Sequence, residues 1–371
     1  MPYFDHSATT PLHPNVEKIM GEVSRLNFGN PSSIYSSGRK SKSIIESTRR
    51  IIAEAIGAEK EEIFFTGSGT ESNNMVLWSL IFGEKKHVIT SAIEHPAILK
   101  VIDSLASFNI ESSILPVDSN GLVNPADLKS AIKPSTGLIS IMTVNNEVGT
   151  IQPIEELTKI SKEENIPFHS DTVQAFGKMQ LSVNTLGAEY LSFSAHKFYG
   201  PKGIGFLYKK KGLKLNPLII GGGQETSLRA GTENISGIAG LGEAAKQISK
   251  KLNERINHLS ELESFFVSKI NNQFPNAIYN GHPKHHVPGL ISLSFPGHPS
   301  EIVLAKLDRK GIELSSGSAC GSGIIKPSPV LKQMGIPDEQ NLSTLRVSFG
   351  RNNTKDDIEI LVNELDNIIN G

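Results

Sequence analysis

Lys197 is the residue whose setting most suggests chemistry. It lies in the run YLSFSAHKFYGPKGIG from Tyr190 to Gly205, where an apolar strand-like stretch ends in small polar residues and a Gly/Pro-rich turn opens a second apolar stretch. An ammonium at the end of a buried strand loses much of its hydration, so it is paired, depressed in pKa or covalently used. Two readings are open at this point. One is a surface lysine whose stem lies along a hairpin with its charge in water. The other is an amine held neutral, although its free pKa is about 10.4, to form a Schiff base with an aldehyde.

Other strand ends carry polar residues of the same kind. Thr66-Gly67-Ser68-Gly69-Thr70-Glu71-Ser72-Asn73-Asn74 joins a strand to a helix through small residues, which reads as a capped turn or as a phosphate cradle built on a helix N-terminus. It matches neither the Walker A nor the dinucleotide pattern. His95, in Ser91-Ala92-Ile93-Glu94-His95-Pro96, is a polar surface residue or an imidazole able to stack on a ring and move protons. Asn145, Asn146 and Glu147 close a further apolar run. Asp171 and Gln174 follow another, in Phe168-His169-Ser170-Asp171-Thr172-Val173-Gln174. Asp171 is a helix N-cap, or the carboxylate that keeps a pyridine nitrogen protonated, as pyridoxal phosphate needs to act as an electron sink. Five strand ends thus offer a phosphate cradle, a histidine, an amide, a carboxylate and a lysine. Capping alone does not readily explain that convergence.

The single cysteine, Cys320, sits in Ser315-Ser316-Gly317-Ser318-Ala319-Cys320-Gly321-Ser322-Gly323. A lone cysteine is commonly a small buried hydrophobe, but this stretch is too small and polar to bury one well. A free thiol of pKa about 8.5 is only about 3% thiolate at pH 7 and is still strongly nucleophilic. With one cysteine no intramolecular disulfide is possible, which fits a reducing compartment.

The elements that must position these residues are legible from the alternation. Short apolar runs at 63–66, 87–90, 113–117, 138–144, 167–169, 190–193 and 204–208 alternate with helix candidates near 70–82, 96–107, 125–132 and 154–165. This is an α/β pattern with a mostly parallel sheet flanked by helices, whose ligands gather at the carboxyl ends of the strands. A short strand over 3–10 and a helix from Pro14 to about Asn27 precede it, and a second helix ends at Gly57. A helical stretch from 234 to 271 leads to strands near 277–279 and 290–295 and helices near 300–310 and 355–369. At 371 residues the chain divides into two domains. Residues 15–250 are read as the large domain; residues 1–14 with 251–371 form a smaller α+β domain that carries Cys320.

Composition excludes several classes. Lys and Arg number 37 against 38 Asp and Glu, for a formal charge of -1, and no basic block exceeds Lys209-Lys210-Lys211. Nucleic acid and anionic membrane are therefore not expected partners. The start, MPYFDHSATTPLHP, has neither a basic nor an apolar leader region, so a cytoplasmic location is expected. His282, His285 and His286 have metal-like content, but they fall in a turn-rich loop, and no metal is expected.

Taken together, SAHKFYGPKGIG, TGSGTESNN, EHPA, NNEVGTIQP, HSDTVQAFGK, RAGTEN, ISLSFPG, SSGSACGSG and LRVSFGR resemble the class V aminotransferase group of fold type I pyridoxal phosphate enzymes. More narrowly, they are similar to the cysteine desulfurases of the NifS/IscS kind, with matches running from Asp5 to Arg351. The resemblance implies that Lys197 carries pyridoxal 5'-phosphate and serves as base and acid. It implies that His95 stacks on the ring, Asp171 pairs with its nitrogen and Gln174 with its phenolic oxygen. Gly69, Thr70, Ser194 and His196 would hold the phosphate, with Thr232 reaching in from a second subunit of a homodimer. Asn146 and Arg346 would bind the carboxylate of L-cysteine, and Cys320 would take its sulfur for transfer to an acceptor protein such as an iron–sulfur scaffold, or for thiolation. A selenocysteine lyase, a class V aminotransferase and a non-enzymatic sulfur-relay partner are the alternatives. Thr226-Ser227 and His6-Ser7 depart from the family's usual pairs, which leaves the dimer contact and the substrate entrance open. The chain also ends soon after its last expected helix, where many members continue into a tail that docks a scaffold, so the acceptor stays open.

Overall fold

A computed structural model of the chain describes residues 2–317 and 326–371. Its main sheet has seven strands: β1 (Ile63–Thr66), β2 (His87–Ser91), β3 (Glu111–Leu115), β4 (Thr136–Ser140), β5 (Phe168–Asp171), β6 (Tyr190–Ser194) and β7 (Gly205–Lys209), in the order β1-β7-β6-β5-β4-β2-β3. The pairs β6–β5, β5–β4, β4–β2 and β2–β3 are parallel, and β7 alone runs against its neighbours β6 and β1. Reversed twice across β7, β1 again points the same way as β6. The carboxyl ends of β1, β6, β5, β4 and β2 therefore open on one edge of the sheet.

The strands are short and nearly continuously apolar because helices cover both faces. Successive residues alternate between two cores, as the period of two requires. Phe65, Ile139, Leu191 and Phe206 face a cluster with Ile52, Ile56 and Leu241, while Phe64, Leu138, Tyr190 and Leu207 face Met75, Ile98 and Leu105. The first face is covered by the helices Pro14–Leu26, Ser36–Ile56 and Ile235–Lys250. Ser36–Ile56 ends on Gly57, whose φ of 71° is the left-handed cap that a glycine takes at little cost. A separate core gathers Phe4, Leu259, Phe266, Leu293, Leu345, Leu361 and their neighbours around a three-stranded antiparallel sheet of β8 (Ile278–Asn280), β9 (Leu290–Ser294) and β10 (Thr344–Ser348), in the order β10-β9-β8.

Four expectations need correction. Residues 3–10 form no strand of a sheet. Tyr3 and Asp5 make isolated bridges to Glu313 and Ser348, and the arm then crosses to the lysine turn. The helical stretch from 234 to 271 is two helices broken at Lys251, where the chain leaves the large core for the smaller one. β3 starts two residues earlier than its apolar run because it is the exposed edge strand and needs little apolar surface. β4 ends at Ser140, although Ile141, Met142 and Val144 stay buried beyond it.

Candidate active site

Lys197 lies three residues beyond the end of β6 in a tight turn. Its Nζ donates to the carbonyls of Ser7 at 2.7 Å and Ala8 at 2.6 Å, both from the N-terminal arm. The arm is fixed on the turn by Thr10, whose N–H and Oγ1 both donate to the His196 carbonyl at 2.9 Å. Burial, and after it the charge of Arg346, lower the lysine pKa to about 8 against the opposing pull of Asp5 and Asp171. This partly neutral, buried amine fits the covalent reading and not the snorkelling one.

Asp171 ends the neighbouring strand and is buried. One of its carboxylate oxygens accepts from Asn73 Nδ2 at 2.7 Å and the other from the Val173 N–H at 3.0 Å, so its orientation is fixed. Gln174 donates through Nε2 to the Ser7 carbonyl at 2.8 Å and accepts through Oε1 from Lys178. The Ser7 carbonyl is thus shared by Lys197 and Gln174. Lys178, not anticipated from the sequence, is fully buried, and burial pushes its pKa well down.

His95 begins the helix Pro96–Leu105, and its Nδ1 accepts from the Ala97 N–H at 3.0 Å. That bond fixes the ring through Nδ1. The residue is exposed to solvent, yet protein surrounds it closely enough for burial to lower its pKa. Behind it Glu94 is buried. Its Oε1 accepts from Ser91 Oγ at 2.6 Å and the Met142 N–H at 2.9 Å, Oε2 has no partner, and burial raises its pKa to about 8. The sequence signal for Glu94 was its place beside His95 in EHPA.

Gly69 opens the helix Gly69–Trp78, capped by Ser68, with Thr70 exposed at its first turn. A β-carbon at Gly69 would stand 2.6 Å from Val173 Cγ2 and 3.4 Å from Ser194 Cβ. Only glycine lets this helix N-terminus seat against the ends of β5 and β6. His196, its pKa lowered to about 4 by burial and by Lys197 and Lys202, faces Thr9 Oγ1 at 3.1 Å. Thr232 is exposed and lines a cavity of about 210 Å³ with Thr66, Gly67 and Arg229. No hydrogen bond joins its side chain to the other site residues described.

Arg346 projects from β10 between Leu345 and Val347, which face the smaller core. Its Nη2 donates to Asp5 Oδ1 at 2.8 Å and Ser315 Oγ at 2.7 Å, and Nη1 to the carbonyls of Asn146 at 3.2 Å and Gly317 at 3.3 Å. Asn146 Oδ1 is buried without a partner. Arg346 and the Asn146 backbone therefore meet. Cys320 lies outside the described residues. The described residues on either side of its segment meet Glu147: Gly317 packs against that carboxylate, and Ser328 Oγ donates to it.

The chain's own groups fit pyridoxal phosphate: a lysine of depressed pKa, a fixed buried carboxylate, an exposed imidazole held by its Nδ1 and a glycine-seated helix N-terminus. The three histidines of the loop are differently engaged. His282 Nδ1 accepts from the N–H groups of Lys284 at 3.0 Å and His285 at 2.9 Å, and His286 pairs with Glu263. Among the described residues no three His, Cys, Asp or Glu side chains are grouped to hold a metal, and no helix is long and apolar enough to cross a membrane.

Known proteins place the chain in a family. The family model for aminotransferase class-V matches residues 2–361. The cysteine desulfurase IscS of Dictyoglomus turgidum is 44% identical over 370 residues, 99% of this chain and 94% of that protein. The solved structure of a NifS-like protein superposes with a TM-score of 0.94 at 35% identity, covering 100% of this chain and 99% of that one. The structure of SspA in complex with cysteine does so with a TM-score of 0.84 at 34% identity, covering 94% of this chain and 99% of that one. The chain therefore belongs to the class-V aminotransferase family and, within it, to the cysteine desulfurases of the IscS/NifS kind.

Proposed function

We propose that the carboxyl edge of the main sheet around Lys197 takes L-cysteine, that Lys197 handles its Cα proton and that Cys320 accepts its sulfur, the products being L-alanine and an enzyme persulfide. The carrying observation is the shared carboxyl edge of the sheet, where Lys197 with a pKa of about 8 lies beside the fixed carboxylate of Asp171. Bound through Lys197, pyridoxal phosphate supplies the electron sink that makes Cα–H and then Cβ–S cleavage accessible. Gly69, Thr70, Ser194 and His196 would hold its phosphate, with Thr232 contributed across a homodimer. Asp171 would keep a proton on the ring nitrogen, Gln174 would donate to the phenolic oxygen, and His95 would cover the ring.

Arg346 and Asn146 receive the substrate carboxylate; Arg346 exchanges its Asp5 partner for it, since a guanidinium fits a carboxylate bidentately. Lys197 would take the Cα proton at Nζ and later return protons to carbon. The Cys320 thiolate attacks the substrate sulfur. The S–S bond forms as the Cβ–S bond breaks, the electron pair goes to carbon, and alanine leaves after protonation. Cys320 is three residues from Gly317, a tether of at most about 10 Å. The persulfide then passes its outer sulfur to an acceptor protein in the cytoplasm.

The division into residues 15–250 and residues 1–14 with 251–371 is supported by the two separate cores. The assay is holoenzyme with L-cysteine and a reductant, scored for alanine and sulfide. Wild type should give both in equal amounts, whereas Cys320→Ala should bind L-cysteine and accumulate no persulfide. Full sulfide release by that variant would remove Cys320 from its role, and a wild type without sulfide would sink the reading.

A further inference from the structure

A cavity of about 460 Å³ lies behind the lysine turn, between the helix ends at Lys250 and Leu252 and the loop after β10, and it is lined by His13, Tyr199, Lys251, Arg255, His258 and Arg351. Tyr199 is its floor. Its φ of 66° is unusual for a non-glycine residue, and three hydrogen bonds hold it: its N–H donates to Thr10 Oγ1 at 2.7 Å, its hydroxyl accepts from the Arg351 N–H at 2.9 Å, and its carbonyl accepts from the His13 N–H at 3.0 Å. Two guanidiniums lie over this one ring, Arg255 at 4.7 Å and Arg351 at 5.4 Å from its centre. Stacking on an aromatic ring orients a guanidinium without using its donors.

The donors are unused. The Nε atoms of both arginines and Nε2 of His258 are buried without a hydrogen-bond partner, and among the described residues neither guanidinium has a carboxylate within 4.0 Å. The acids nearby are engaged: Glu254, which also lines the cavity, pairs with Lys251 at 3.6 Å, and Glu243 pairs with Lys246 at 3.8 Å. Two like charges on one ring beside unpaired buried donors form an arrangement that is costly when empty.

We infer that this cavity is a binding site for a small multivalent oxyanion, held in the forks of Arg255 and Arg351 over Tyr199 with His258 as a further donor. Phosphoryl and carboxylate groups share the required chemistry, since both accept paired N–H donors from a guanidinium. The site is separate from the substrate site and does not depend on the desulfurase reading.

The test is calorimetric titration of the holoenzyme, its cofactor in place, with inorganic pyrophosphate and separately with citrate, chloride holding the ionic strength constant. Saturable uptake of one equivalent per chain is expected. Arg255→Gln and Arg351→Gln should each weaken it at least about tenfold, the loss of a charge-assisted hydrogen bond. Pyrophosphate alone would identify a phosphorylated ligand, citrate alone a carboxylate one. Absence of saturable uptake of either anion, or unchanged uptake when both arginines are replaced, overturns the site. Should the variants fail to fold, phenylglyoxal labelling of the wild-type holoenzyme decides. The titrating anion should protect Arg255 and Arg351 from modification, and unaltered labelling of both contradicts the assignment.

Discussion

Lys197 should react as a neutral amine well below the pH at which an exposed lysine does. With a pKa of about 8, roughly a tenth of it is neutral at pH 7, against less than about a thousandth for an ordinary lysine. Reductive methylation of the cofactor-free chain, followed on the Lys197 peptide, should show a midpoint near pH 8, and a midpoint near 10 would contradict the burial argument. Glu94 gives the opposite sign. Its folded pKa is raised to about 8, so between its ordinary range and pH 8 the folded chain holds a proton that the unfolded chain releases, and stability falls as pH rises through that window. Glu94→Gln, which keeps the neutral shape, should flatten the dependence of Tm on pH between 5 and 8. Lys178 fixes the amide of Gln174 by donating to its Oε1. Lys178→Met should loosen cofactor retention several-fold and shift the pH titration of the bound chromophore's absorbance, with the melting temperature held or raised because a buried amine has gone. An unshifted titration would make Lys178 a packing residue only. The sequence made Lys197, Asp171 and His95 visible because charged types at apolar strand ends stand out. The carbonyls of Ser7 and Ala8, which hold the lysine, carry no signal in residue type, and Lys178 reads from sequence as an ordinary surface lysine.

Strand ends are legible because small polar residues punctuate apolar runs, and all seven main strands start within two residues of their expected starts. β10 was not marked as a strand, although TLRVS alternates, because Arg346 sits where apolar continuity was sought. The N-terminal arm was misread as a strand because its hydrogen bonds reach residues more than three hundred positions away, which no local pattern records. At this scale Gly69 is the sharpest point. A β-carbon there meets Val173 at 2.6 Å, so Gly69→Ala must push the helix N-terminus off the ends of β5 and β6. The expected cost is about 1–3 kcal/mol in unfolding free energy, with a larger loss in cofactor affinity. Denaturant melts and a cofactor titration check both, and unchanged affinity would place the phosphate elsewhere.

The whole molecule is built around a core on each face of the main sheet and a further one in the smaller domain, and the turn at Gln224–Ser227 ties distant parts of the first of these. Glu225 is buried, accepts a bidentate bond from Arg49 at 2.7 and 2.8 Å and a third from the Phe65 N–H at 2.8 Å, and stands with Thr226 and Ser227 at positive φ. Just before it Leu218, Ile219 and Ile220 are exposed, Ile220 at 84%. An apolar stretch beside so firmly held a turn is suited to cover by a second copy, and sedimentation of the holoenzyme should give twice the chain mass of 40.2 kDa. A monomer that retains the cofactor would remove Thr232 from the site. Phe4 is packed in the smaller core, while Ser7 and Ala8, three and four residues on, clasp Lys197 at the edge of the larger sheet. The first ten residues are therefore a strap, short enough that any pull on the amino end is felt at the reactive amine. A bulky fusion at that end should loosen the clasp on Lys197 and move the midpoint of its reductive methylation away from pH 8, whereas trimming of residues 1–10 also takes Phe4 out of the smaller core and should lower the melting temperature.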